Sequence, residues 1–188
     1  MKKVNKTRFA KRALEDFSRT MIELLSKKPF ENIMVSEICE ISNYPRATFY
    51  NYFEDKYGLL NYCWDCFGEK IDFQNDYDYM DTDEKMYDLF NSLYDFFEKN
   101  IEILRSITKQ NNPNGEFMQI FKIYMKNQIN IKIKGCSCVE KKKVPHEMLL
   151  EHYSNTVVLV LEWGFLKENI LSKEDAKIYL KYLLEGGI

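Results

Sequence analysis

Only seven glycines and four prolines punctuate this 188-residue chain, and between them apolar residues recur at every third or fourth position. Few sites demand a tight turn or a broken helix, and the period is that of an amphipathic helix rather than a strand. The pattern predicts an all-α protein of about nine helices. Phe9, Ala13, Phe17, Met21, Leu24 and Leu25 form one stripe and predict a first helix over Lys6–Ser26, which Pro29 stops. Val35, Ile38 and Cys39 mark a short helix to Ser42. Asn43 follows at a turn, where asparagine tolerates left-handed backbone. Pro45 suits the first position of another short helix, to Asn51. Asp55 reads as the N-cap of a fourth, to Phe73.

The acidic segment 75–84 lacks helical periodicity and reads as a loop. Helices are expected over Lys85–Lys99, Ile101–Lys109 and Phe117–Ile133, with a turn at Asn112–Gly115. Gly135–Lys143 reads as a second loop. Pro145–Asn169 is apolar on more than one side, so it is expected to be buried on more than one side. Ser172 with Asp175 resembles a capping box before a last helix carrying Ala176, Tyr179, Leu180, Leu183 and Leu184. Burial against a second copy of the chain is the economical way to cover both helices. Tyr153, Val157, Val160, Gly164, Tyr179, Leu180 and Leu183 are the candidate dimer residues.

Net charge is −2, but it is unevenly placed. Residues 1–30 carry nine Lys and Arg against three acids, while residues 65–100 carry eleven acids against three lysines. A polyanion is therefore expected at the N-terminal end alone. The longest strongly apolar run, Val157–Leu161, is far too short to span a membrane, and no signal stretch follows the first lysines. Five cysteines do not suit a closed disulfide framework, so a reducing cytoplasmic setting is expected. No nucleophile elbow, phosphate loop or His/Glu metal motif is present, so neither an enzyme nor a cofactor is expected. His146 and His152 are the only histidines.

Two short helices across a tight turn, braced by a longer one, form a helix-turn-helix. Its second helix presents N-terminal side chains to the major groove of double-stranded DNA. Arg46 offers a fork of donors to guanine or phosphate. Thr48, Tyr50 and Asn51 can reach phosphates or base edges, and Phe49 and Phe53 are spaced to face the core. This places the DNA-binding domain at 1–55 and a helical dimerisation domain at 56–188, to which the family resemblance described next adds effector binding.

The stretch FENIMVSEICEISNYPRATFYNYFEDKYGLL, Phe30–Leu60, resembles the DNA-binding signature of TetR-type regulators, most closely at Ala47–Phe53, Asp55-Lys56 and Leu59-Leu60. The resemblance implies that Arg46, Ala47 and Asn51 face the groove and that Thr48, Tyr50 and Lys56 hold the phosphate backbone. Ser36 completes the candidate DNA-binding set. It further implies a homodimer through the last two helices, a palindromic operator, and repression relieved by a small-molecule effector. The effector would shift the fourth helix and spoil a recognition-helix spacing of about 34 Å. Phe90, Phe97, Phe121, Tyr124 and Trp163 are the candidate effector pocket, suited to an apolar or aromatic ligand. The chain departs from the family at Met34, Asn43, Tyr44 and Pro45, where Thr, Gly, a small aliphatic and Ser or Thr are common.

Two other readings stand beside this one. The first is a helical dimeric interaction protein of the same fold without specific DNA binding. The second is a thiol- or metal-responsive regulator acting through Cys63/Cys66 or Cys136/Cys138, the latter pair flanked by lysines that lower thiol pKa.

Overall fold

The computed structural model describes residues 7–69, 71, 82–133, 144–167 and 171–185. Among the described residues there are nine α-helices and no strand: α1 (Arg8–Leu25), α2 (Val35–Ser42), α3 (Arg46–Tyr52), α4 (Lys56–Gly68), α5 (Thr82–Lys99), α6 (Ile101–Gln110), α7 (Glu116–Ile133), α8 (His146–Leu161) and α9 (Lys173–Glu185). A 3-10 turn, Phe30–Asn32, joins α1 to α2. A π-helical turn, Glu162–Leu166, extends α8, and there the Lys167 N–H donates to the Glu162 carbonyl at 3.1 Å. α4 stops at Gly68, short of Phe73, and α5 begins at Thr82, inside the expected loop. The rest of that acidic segment, and the loop carrying Cys136 and Cys138, lie outside the described residues.

The chain divides into two compact units, Met1–Glu69 with Ser106–Gln119, and Lys70–Arg105 with Ile120–Ile188. The boundary read from the sequence at residue 55 therefore differs from the structural one. α4 belongs with the first unit because Leu59, Leu60, Cys63 and Trp64 are buried and the helix packs on α1. The turn 111–115 and the start of α7 join it too.

The first unit is built on α1, whose Ala13, Phe17, Met21 and Leu25 are wholly buried, as the stripe predicts. Thr7 caps α1 by accepting the Ala10 N–H at 3.2 Å, and Asp55 caps α4 by accepting the Gly58 N–H at 2.9 Å. In the second unit α8 packs on α5 and α9. The Tyr94 and Phe165 rings lie 4.7 Å apart, and the Tyr94 hydroxyl donates to the Leu171 carbonyl at 2.6 Å. Ser172 opens α9 by accepting the Asp175 N–H at 3.1 Å and donating to its carboxylate at 2.7 Å.

Candidate nucleic-acid interface

The turn between α2 and α3 is closed by backbone geometry. Asn43 sits at φ 59°, ψ 44°, the only non-glycine residue with positive φ among those described. Its N–H donates to the Glu40 carbonyl at 3.2 Å, and the Tyr44 N–H donates to the Cys39 carbonyl at 3.0 Å. That pair of bonds is a Schellman motif with asparagine in the left-handed place. Tyr44, where a small aliphatic is common in the pattern, fastens the turn to α1. Its ring lies 5.2 Å from that of Phe17, and its hydroxyl donates to Asp16 Oδ2 at 2.9 Å. Nothing local marks this role, since Asp16 is 28 residues away.

Pro45 is the N-cap of α3, one position earlier than the sequence suggests, and no side chain caps the helix. The helix is anchored by Phe49, which is wholly buried, with its ring 5.4 Å and edge-on to Phe17 and 5.4 Å from Phe53. One inward aromatic leaves the other side of α3 to solvent. Arg46, Ala47, Tyr50 and Asn51 are exposed there, and Thr48 is half-buried. Ser36, in the first turn of α2, is also half-buried. The neighbouring Glu37 is ion-paired with Lys28, which ties α2 to the end of α1.

Lys56 also makes contacts within its own unit. Its Nζ donates to the Phe30 carbonyl at 2.9 Å and the Glu31 carbonyl at 3.0 Å, and lies 4.5 Å from the centre of the Phe30 ring. The ammonium therefore ties α4 to the 3-10 turn within the unit. Met34, where a capping hydroxyl is common, is an exposed N-cap that makes no side-chain bond to α2.

The thiols divide as well. Cys39 and Cys63 are buried. Burial pushes the Cys63 thiol pKa up to about 12, and the Ser18 hydroxyl donates to its sulfur at 3.3 Å. A thiol held so far toward its protonated form is a poor nucleophile and metal ligand. Among the described residues no cluster of three or more His, Cys, Asp or Glu is placed to hold a metal.

In the second unit the candidate effector residues fall in two places. Phe90, Phe97 and Phe121 are buried, and Tyr124 is half-buried. Phe97 and Phe121 line a cavity of about 10 Å3 with Lys122, Met125, Val158, Leu161, Glu162 and Leu166. The Lys122 ammonium meets the Glu162 carboxylate at 3.0 Å. Trp163 lies elsewhere. It follows Leu159 by one turn on the outward face of α8 and is 43% exposed.

The candidate dimer residues need a similar correction. Tyr153, Val157, Val160 and Leu180 are buried inside the chain, because α8 and α9 pack on one another and α8 on α5. Gly164 is half-buried against Leu171. Tyr179 and Leu183 remain outward and, with Leu159, Trp163, Leu171, Tyr182 and the almost fully buried Val160 at its floor, line an open apolar groove of about 530 Å3.

Residues 20–63 match the family model of bacterial regulatory proteins, tetR family. That match covers the last third of α1, the whole helix-turn-helix and most of α4, and marks this stretch as similar to TetR-type DNA-binding segments. A similar solved structure is the dihydroxyacetone kinase operon activator DhaS. It is 17% identical with a TM-score of 0.56, and the likeness covers 93% of this chain and 95% of that one. It shows the same helical fold. No curated protein matches the chain.

Proposed function

We propose that this chain, a DNA-binding transcriptional regulator by its TetR-type segment, is a homodimeric repressor released from a palindromic operator by a small molecule. The observation that carries the reading is α3: one buried aromatic anchor, with Arg46, Ala47, Tyr50 and Asn51 all turned to solvent. Thr48 on α3 and Ser36 in the first turn of α2 supply hydroxyls for phosphates. A basic N-terminal segment adds attraction to the same polyanion. Lys56 holds α4 to the 3-10 turn with two ammonium donors and offers the third to the phosphate backbone.

The homodimer is formed through the outward face of α8 and α9, where Leu159, Trp163, Tyr179, Tyr182 and Leu183 gather exposed apolar surface rich in aromatics. The effector site lies at Phe97 and Phe121, beside the Lys122–Glu162 pair. Its present space of about 10 Å3 fits a single water, so the effector binds by parting these side chains. The chain contains no described helix long and apolar enough to cross a membrane, and a cytoplasmic location follows from the regulator reading.

The test is selection of genomic fragments bound by the purified protein at physiological salt. A specific reader prefers its site over random DNA by roughly a thousandfold or more. Equal, weak binding to all fragments sinks the reading in favour of a helical interaction protein. The similar solved structure is titled an activator. A reporter placed behind the selected fragment reads the sign, and repression is the expected result.

A further inference from the structure

The α6–α7 corner, Ser106–Gln119, belongs to the first unit although α5 separates it in sequence from the helix-turn-helix. Its key side chain is Asn111, which is 2% exposed at the end of α6. Asn111 Oδ1 accepts the Phe30 N–H at 2.9 Å. Asn111 Nδ2 donates to the Leu25 carbonyl at 3.2 Å and to the Ile107 carbonyl at 2.8 Å. Both amide hydrogens and one acceptor site are thus filled. Leu25 closes α1, and Phe30 opens the turn that leads into α2.

A second tie lies beside it. The Tyr57 hydroxyl on α4 is 3.1 Å from each carboxylate oxygen of Glu116, the first residue of α7. The Phe117 ring then packs 6.2 Å from Phe30 and 5.6 Å from Trp64. Phe30 is held from the other side by Lys56. The connection between α1 and α2 is therefore clasped between α4 and the corner, with its backbone polar groups satisfied by two side chains. Removing a buried partner leaves such groups unpaired, which costs more than the bond itself contributes.

We infer that the α6–α7 corner is a structural part of the DNA-binding unit, and that Asn111 is the positioning residue that fixes the α1–α2 connection and hence the stance of α3. The inference rests on the DNA-binding reading of α3. It makes that unit discontinuous in sequence, so residues 7–69 depend on the corner to present the recognition helix.

The experiment is hydrogen–deuterium exchange on the full chain, run with affinity for the selected fragment. In Asn111→Ala, amides of residues 26–53 exchange about tenfold faster or more, while those of α5 and α8 keep their rates. Operator affinity falls at least fivefold, about 1 kcal/mol. Asn111→Asp keeps an acceptor for Phe30 but buries a carboxylate with an oxygen against the Leu25 and Ile107 carbonyls, so it recovers neither effect. Tyr57→Phe removes an exposed bond, leaves the fold intact, and speeds exchange in the same segment by a smaller factor. Uniform acceleration across both units, or none in 26–53, overturns the inference. Should Asn111→Ala fail to fold, Tyr57→Phe decides by the same criterion. The exchange readout needs no DNA, so failure to find an operator sinks the functional reading and leaves this one to stand or fall separately.

Discussion

Two exposed surfaces of this protein are built on opposite plans. α3 sinks one phenylalanine and shows solvent a guanidinium, a phenol and an amide. The α8–α9 face sinks four of the residues expected at its surface and shows solvent a tryptophan, two tyrosines and leucines. Polar donors on a slim helix suit a hydrated, charged groove. Clustered aromatics suit a dry contact with a like surface. The difference teaches that exposure alone identifies neither partner; the chemistry of what is exposed does.

The anchor is where the first surface is most easily broken. Phe49→Ala removes a wholly buried ring that touches both Phe17 and Phe53 and costs about 3–5 kcal/mol. Chemical denaturation is expected to show the loss, and DNA binding to vanish with it. A value under about 1 kcal/mol would mean that Phe49 is not the anchor. On the second surface Trp163→Ala is expected to weaken self-association by about 2 kcal/mol, roughly thirtyfold in dissociation constant. Sedimentation at a series of concentrations reads it. A variant that dimerises as tightly as the parent moves the interface away from this face.

The sequence announces elements whose determinants are local. Asn43 at the turn, the caps at Asp55 and Ser172, and the stripe of α1 could all be read from spacing. Groups whose partners are distant could not. Lys56 reads from sequence as a phosphate ligand, and nothing near it announces its bonds to Phe30 and Glu31, 26 and 25 residues away. Asn111 looks like part of an ordinary Asn-Pro turn, and its partner Phe30 lies 81 residues off. The α8 stripe failed for another reason. A helix apolar on two faces tells that both are covered, not which face meets the chain's own core. Hence Tyr153 and Val157, expected on the outer face, are buried, and Trp163, expected in the pocket, is exposed.

Arg46→Ala sharpens the comparison from the DNA side. Arg46 is exposed, so folding stability is expected to change by less than about 0.5 kcal/mol. Operator affinity is expected to fall by about 1–3 kcal/mol, concentrated at one base position. Fluorescence anisotropy against operator and point-mutated operators separates base contact from phosphate contact. A uniform loss across all sequences, with a shallower salt dependence, would assign Arg46 to the backbone instead.

The smallest effect belongs to Tyr44, which holds the turn of the helix-turn-helix to α1. Tyr44→Phe keeps the ring against Phe17 and removes only the hydroxyl that donates to Asp16. The expected result is a small loss of stability. Desolvation first, and the Asp16 hydrogen bond second, raise the Tyr44 pKa above its ordinary 10.0. The neutral phenol is the form the fold favours. Its contribution is therefore complete below pH 10 and is lost as pH rises through the raised folded value. Denaturation of parent and Tyr44→Phe between pH 7 and 11 should show a constant gap that narrows only at the alkaline end. A gap that is absent at pH 7 would mean the turn is held by its backbone bonds and the ring alone.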